Sequence, residues 1–222
     1  MMVTRLFWVF LGALALGCAA STDVGNPITA EVEFAGYKSQ SPSGSALTLD
    51  NGLVVKKAYI KVRSFRLDES ANCDDTASDF DGVILVDLLS QVSSNSALWD
   101  GESGTFCRLR VQFTTDAVAN EPIELESHSL YVSGTLPDGQ PFEAQIAAED
   151  TLSLEGDFTL PPGSHLLQVG FFMSEWFVSA NSESGHVFDS DPVVDNNHPD
   201  YEDVRSNILK SARLFHDSDE NG

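Results

Sequence analysis

Acidic side chains are the most concentrated chemical groups in this sequence, and many of them cluster near the C-terminus. Residues 189–203 hold eight Asp, Asn and Glu side chains, and the candidate ligands among them are Asp189, Asp191, Asp195 and Asp200. Hard oxygen ligands in such a pattern are what Ca²⁺ requires. Two interpretations stay open, a calcium site or a solvated acidic loop whose carboxylates cap a following helix, and we favour the loop.

Basic residues are scarce, and more than half of them lie in two short stretches. Seven of the twelve fall within residues 56–66 and 108–110. If these stretches form neighbouring strands, one face of the sheet would carry Lys57, Lys61, Arg63, Arg108 and Arg110. This set predicts an anion-binding or glycan-phosphate-binding surface. The alternative, which we favour, is ion pairing across strands with Glu124, Glu126 or Glu143.

Aromatic residues near position 175 are candidates for a surface that stacks against sugars: Phe171, Phe172, Trp176 and Phe177. Strand alternation places Phe171 on the same side as Val169 and Met173, so we expect most of this stretch to be core. Trp99 lies in a polar stretch. It is therefore the aromatic residue that we expect to be exposed.

The sequence contains no recognisable catalytic motif. Its five histidines are scattered, with no His-x-x-x-His spacing, and no Gly-x-Ser-x-Gly elbow or phosphate-binding loop is present. We therefore predict that the protein is not an enzyme, and an envelope hydrolase is the least favoured alternative. A net charge of −22 excludes a generic nucleic-acid binder, which needs a basic surface.

Cysteine usage indicates an oxidising compartment. Three cysteines occur, and Cys73 and Cys107 remain as a pair once Cys18 is set aside. A disulfide between them would stabilise the fold by roughly 4 kcal/mol on the chain-entropy model. The alternative is two free, buried thiols.

The N-terminus has the layout of an export signal, with Arg5 ahead of an apolar run at 6–17. That run is too short to span a membrane, which takes about 20 apolar residues. The ending Leu-Ala-Leu-Gly-Cys at 14–18 resembles the lipobox of bacterial lipoproteins, with Ala15 where that family has leucine. The resemblance implies fatty acyl (palmitate-type) chains on Cys18, and Ala19 in place of aspartate implies the outer membrane. The alternative is ordinary cleavage after Ala20.

The rest of the chain predicts an all-β fold, an antiparallel immunoglobulin-like β-sandwich with one C-terminal α-helix. Alternation and turn residues predict strands at 28–34, 53–67, 82–89, 105–113, 130–136, 142–148, 151–160 and 165–178, then a helix at 199–215. We divide the chain into a signal (1–18), a tether (19–27), a sandwich domain (28–180) and an acidic linker, helix and polar tail (181–222).

Residues 54–178 resemble an uncharacterised bacterial lipoprotein domain with an immunoglobulin- or transthyretin-like sandwich. The resemblance lies in Ala-Tyr-Ile-Lys-Val at 58–62, Val-Asp-Leu-Leu at 86–89, Arg-Leu-Arg-Val at 108–111 and the Leu-Pro-Pro-Gly turn at 160–163. It implies a fold and an envelope location, but no activity. We therefore predict a lipid-anchored, non-catalytic binding or structural module, held at the membrane by acyl chains, whose partner is an envelope protein or glycan. A calcium-dependent adhesion or glycan-binding module is the alternative, and no cofactor is otherwise expected.

Overall fold

The computed structural model of the chain describes residues 26–37, 46–69, 73, 76–90, 92–93, 97–179, 184–189 and 191–216, without the side chains of 76–81 and 92–93. These residues form strands and one α-helix, which confirms the predicted all-β class. The strands are β1 Pro27–Tyr37, β2 Leu47–Thr48, β3 Val54–Glu69, β4 Thr76–Asp87, β5 Val92–Ser93, β6 Ala97–Glu102, β7 Gly104–Phe113, β8 Leu130–Thr135, β9 Pro141–Ile146, β10 Thr151–Leu160, β11 Gly163–Phe172, β12 Val193–Val194 and β13 Ala212–His216, and the helix is α1 Tyr201–Ser211. Among the described residues, no helix is long and apolar enough to cross a membrane.

The strands form two sheets that enclose one core. The first sheet has four strands in the order β13-β11-β1-β6. The second has nine strands, with β10-β7-β3-β8-β9-β12 as its main path and β2, β4 and β5 attached at β3 and β4. Most neighbours are antiparallel, but β1 with β11 and β12 with β9 are parallel. Strand β3 is the hub, because it pairs with β4, β7 and β8.

Alternating apolar residues bring the two sheets together. The predicted inward set of β3, Ala58, Ile60 and Val62, is fully buried. Across the interior, the rings of Phe113 on β7 and Phe171 on β11 lie 6.4 Å apart between centroids. Burial of this kind contributes about 25 cal/mol per Å² of apolar surface, so the alternation determines which face of each strand turns inward.

Helix α1 closes one side of the sandwich and is attached to the start of β10. Val204 and Ile208 are buried in the common core. The Arg205 guanidinium donates to both carboxylate oxygens of Asp150, with Nε 2.6 Å from Oδ2. This pairing raises the pKa of Arg205 above its ordinary value. The contact fixes α1 beside residue 151, where β10 begins.

The predicted helix at 199–215 is too long at its C-terminal end. The helix stops at Ser211, and Ala212–His216 form strand β13 against β11. Residues 212–216 alternate between smaller and larger exposure, which suits a strand, and the edge of β11 offers backbone partners. Pairing with β11 therefore outweighs helix propensity here. The predicted strand at 165–178 likewise ends early, at Phe172, where a 3₁₀ turn at Met173–Glu175 begins.

The prediction that Trp99 is exposed is wrong. Trp99 lies on β6, opposite Ala30 of β1, and only 3% of its surface is accessible. Its ring meets Phe106 edge to face, with centroids 5.7 Å apart. It also covers Gly101, where any Cβ atom would lie 2.1 Å from the indole. Trp99 lies in a polar stretch, so the sequence did not indicate a strand here. The strand forms by pairing with β1, which is distant in sequence.

Candidate anion-binding cleft

Three arginines come together on the outer face of the nine-stranded sheet because of the register between β3 and β7. The register places Arg66 opposite Arg110 and Asp68 opposite Arg108. One step along, Ser64 lies opposite Gln112, and Gln112 lies opposite Thr151 of β10. Side chains that share one face of neighbouring strands therefore form short polar rows across β10, β7 and β3.

Asp68 is the centre of the arginine cluster, which we define as Arg66, Arg108, Arg110 and Asp68. Its carboxylate is fully buried, while the arginine side chains keep 16–26% of their surface exposed. The Nε atoms of Arg108, Arg110 and Arg66 lie 2.6, 2.7 and 3.1 Å from its oxygens. The contacts of Arg108 and Arg66 are charge-assisted hydrogen bonds, which are about twice as strong as neutral ones, whereas the Nε contact of Arg110 is an ion pair without hydrogen-bond geometry.

A disulfide supports the cluster from one side. Cys73 and Cys107 are bonded, with Cα atoms 6.0 Å apart, which confirms the predicted pair. The bond holds the Cys73 carbonyl beside the cluster, where it accepts hydrogen bonds from the Nη2 atoms of Arg108 and Arg110. The neighbouring Cys107 is buried on β7. The disulfide thus links β7 to Cys73, whose carbonyl contacts two of the three guanidinium groups.

An open cleft lies over the arginine cluster and has a volume of about 190 Å³. It is lined by Ser64, Arg66, Arg110, Gln112 and Thr151, and we call these five residues the arginine cleft. At about 30 Å³ per water molecule in the liquid, the space corresponds to roughly six waters, enough for a phosphate or carboxylate group. Hydroxyl, amide and guanidinium groups all donate hydrogen bonds to such anions.

Only part of the predicted basic set belongs to this cleft. Arg108 and Arg110 join the cluster, whereas Lys57, Lys61 and Arg63 lie beside separate carboxylates. Lys57 Nζ is 2.7 Å from Glu124, Lys61 Nζ is 2.9 Å from Glu121, and Arg63 Nη2 is 2.7 Å from Asp116. Lys57 therefore pairs with Glu124, one of the three glutamates we considered, but Glu124 belongs to a 3₁₀ turn at Ile123–Leu125 and not to a neighbouring strand.

These pairs affect both accessibility and ionisation. Lys61 is fully buried beneath the loop that follows β7, where Nζ also donates to the Thr115 carbonyl at 3.2 Å. The hydrogen bond from Lys57 lowers the pKa of Glu124 and is itself the main reason that the pKa of Lys57 is raised. The hydrogen bond from Arg63 lowers the pKa of Asp116 in the same way.

Of the five cleft residues, only Arg110 belonged to the predicted set. Arg66 is the charged residue that sequence reasoning missed, and a β-bulge explains why. Simple alternation along β3 places 57, 59, 61 and 63 on one face. The register shifts between Val62 and Ser64, so Ser64, Arg66 and Asp68 face outward while Phe65 and Leu67 become core. An inserted residue that reverses the phase of a strand is the effect of a bulge. The sequence did contain a signal for this bulge. Alternation continued from residues 58–62 would place the apolar Phe65 on the outer face.

The four candidate calcium ligands do not form one cluster in the described structure. Asp191 and Asp195 accept backbone hydrogen bonds two residues on, from Val193 at 2.9 Å and Asn197 at 2.8 Å. Asp189 contacts Ser184, and Asp200 lies 3.9 Å from His198. Within the residues described, no three His, Cys, Asp or Glu side chains are grouped to hold a metal. The calcium site stays a prediction.

The aromatic residues near position 175 are mostly interior, as expected. Phe171, Trp176 and Phe177 have no accessible surface. The Trp176 indole donates to Ser211 Oγ at 2.6 Å, which attaches the end of α1 to the core. Phe172 turns to the other side of its sheet, where its ring lies 6.4 Å from that of Phe215.

Comparison with known proteins identifies one distant structural likeness. MbnP from Methylosinus trichosporium matches with a TM-score of 0.40 and 11% identity, over 67% of this chain and 78% of that one. At this level the likeness carries no functional argument. No family model matches the chain, and no curated protein matches it.

Proposed function

We propose that the protein is an exported, lipid-anchored envelope protein that acts as a non-catalytic binding module and takes an anionic group in the arginine cleft. The observation that carries this proposal is the arginine cluster, in which three guanidinium groups surround one fully buried carboxylate. Arg66 and Arg110 also line the open cleft above it.

The chemistry of the cleft lining favours an anion. The described residues that line it carry two guanidinium groups, two hydroxyl groups and one amide, and all of these donate hydrogen bonds. The planar guanidinium group matches phosphate and carboxylate oxygens in pairs. A cleft that is partly removed from water strengthens such contacts relative to a flat surface.

The test is phosphate binding to the full chain, followed through the arginine Nε–H signals by NMR at constant ionic strength. We expect the signals of Arg66 and Arg110 to shift with phosphate. Thr151→Asp places a carboxylate at the cleft and should weaken binding at least fivefold. Thr159→Asp is the matched control, because Thr159 is exposed on the same strand but does not line the cleft.

Two outcomes would contradict the proposal. The first is the absence of any shift at Arg66 and Arg110 up to tens of millimolar phosphate. The second is equal weakening by Thr151→Asp and Thr159→Asp, which would indicate long-range repulsion rather than a site. Either result would assign the cluster a purely structural role as an internal ion network.

The lipobox resemblance at Cys18 supports the anchor part of the proposal. The short segment between Cys18 and the first strand supports it as well. Eight residues, 19–26, separate Cys18 from the start of β1 at Pro27. Their maximum reach is about 30 Å, at 3.3–3.6 Å per residue. Acyl chains on Cys18 would therefore keep the sandwich within that distance of the membrane.

Replacement of the lipidated residue tests the anchor. We expect Cys18→Ala to abolish incorporation of labelled palmitate and to release the protein from the membrane fraction. Ala20→Ser is a useful control, because it alters the alternative cleavage position while Cys18 is kept. Unchanged labelling of Cys18→Ala would disprove lipidation at this residue, and the anion-binding test would stand independently.

A further inference from the structure

We propose that a second binding surface, a groove between β10 and β13, takes an extended acidic peptide by strand addition. Among the strands that the structure describes, each of these is the last on its side of its sheet: β10 pairs with β7, and β13 pairs with β11. The groove between them has a volume of about 490 Å³. Its lining consists of Thr151, Leu152, Ser153, Leu154 and Glu155 on β10 and of Leu209, Lys210, Ala212, Arg213 and Leu214 opposite.

The β10 wall is suited to an extended chain. Residues at the edge of a sheet present backbone N–H and C=O groups that can pair with an added strand. Five consecutive residues, 151–155, line the groove and span about 17 Å at 3.4 Å per residue. A register shift between Glu155 and Phe158 ends the regular edge there. The usable edge therefore matches a peptide strand of about five residues.

The lining charges favour acidic side chains on that peptide. The groove and the arginine cleft meet at Thr151, which lines both. Among the described residues that line the two spaces, one is acidic, Glu155, and four are basic: Arg66, Arg110, Lys210 and Arg213. A peptide paired with β10 would thus carry an acidic group towards Arg66 and Arg110 at one end. The inference therefore rests on the proposed anion site, and it identifies an acidic side chain of the peptide as the anion that this site binds.

The position of α1 makes the groove a preformed feature. Arg205 pairs with Asp150, immediately before the first groove residue of β10. Lys210 and Arg213 lie at the end of α1 and the start of β13, and the Arg213 guanidinium donates to the Lys210 carbonyl at 2.5 Å. The opposite wall is therefore fixed to the strand that the peptide would join.

Fluorescein-labelled Val-Asp-Val-Asp-Val, capped at its C-terminus as an amide, is a suitable probe for anisotropy measurements with the full chain. We expect saturable binding that weakens at least tenfold when both aspartates are replaced by asparagine. A version N-methylated at every internal residue should not bind, because no internal backbone N–H remains on either edge to pair with β10. By NMR, the backbone amides of 151–155 should shift.

Charge reversal in the groove gives the matched comparison. Lys210→Glu should weaken peptide binding about fivefold or more, since exposed pairs contribute up to about 1 kcal/mol each and reversal adds a repulsion. Lys56→Glu carries the same change at an exposed lysine of β3 outside the groove and should have less than a twofold effect. Equal effects of the two variants would overturn the inference.

The two proposals fail in different ways. Phosphate shifts at Arg66 and Arg110 without any peptide binding at millimolar concentration would overturn strand addition and leave the anion site intact. Peptide binding that tolerates N-methylation would overturn strand addition as well. Loss of both phosphate and peptide binding would overturn both proposals.

Discussion

Replacement of Asp68 by asparagine tests the electrostatics of the arginine cluster most directly. The substitution keeps the size of the side chain but removes the negative charge that Arg66, Arg108 and Arg110 share. Because Asp68 is fully buried, water cannot replace its charge. Loss of one partner from a buried ion pair typically costs about 3–5 kcal/mol, and we expect a loss in this range.

The expected loss of stability is large enough to be measured by thermal unfolding. In a protein of this length, each kcal/mol lowers the melting midpoint by about 2–4 °C, so Asp68→Asn should lower it by about 6–20 °C. Asp157→Asn is the matched control, because Asp157 is exposed at the irregular part of β10. An exposed change of this kind should stay within about 0.5 kcal/mol.

Phosphate should then act differently on the variant and the parent chain. Without Asp68, the arginines lose the carboxylate that they share, so we expect an external anion to bind beside them more tightly. Ligand binding to the folded state raises stability by about 2.7 kcal/mol at a hundred times the Kd of the ligand. We therefore expect phosphate to raise the midpoint of Asp68→Asn more than that of the parent chain, with NaCl of equal ionic strength as the reference. A loss below 1 kcal/mol, or equal phosphate effects in both proteins, would refute this reasoning.

Three further predictions concern stability. Lys61→Met should change the free energy of unfolding by less than about 1 kcal/mol. Glu121→Gln should lower it by about 3 kcal/mol, because this variant leaves the buried ammonium group of Lys61 without its carboxylate. Urea unfolding measures both values, and the reverse order of the two losses would contradict this prediction. Cys73→Ser should lower the free energy of unfolding by about 4 kcal/mol through loss of a cross-link over 34 positions, and a smaller loss than 1 kcal/mol would speak against it. Because Lys57 depresses the pKa of Glu124, that pair should stabilise the fold above the ordinary pKa of 4.5 and lose its effect as the pH falls through the lower folded-state value. Melting of Lys57→Met between pH 2.5 and 6 at low salt should show a weaker acid dependence than the parent chain, and parallel curves would contradict the assignment.

Local pattern accounts for the parts of the fold that could be predicted. Strands with clean alternation, such as the one carrying Leu109 and Val111, were identified because a two-residue period buries one face regardless of the partner strand. The disulfide followed from cysteine number and compartment. The arginine cluster could not be derived in the same way, since Arg66 reaches that face only through the bulge after Val62.

Several features depended on strand pairing that no local pattern encodes. Trp99 lies in a polar stretch and becomes core only because β6 pairs with β1. Residues 212–216 have helical neighbours and become a strand only because β11 offers a free edge. Backbone pairing satisfies donors and acceptors that are distant in sequence, so it can override the propensity of a short segment.

The sequence by itself was enough to predict the all-β class and the cysteine pair, which the structure confirms, and it is also the basis of the export-signal and Cys18 predictions, because each depends on composition, order or a short period. Only the tertiary structure decided that Arg66, Arg108 and Arg110 share Asp68, that Lys61 is buried, and that β10 and β13 face each other across a groove. The physical reason is register. A shift of one residue between strands moves a side chain to the opposite face of the sheet, and register is set by contacts far apart along the chain.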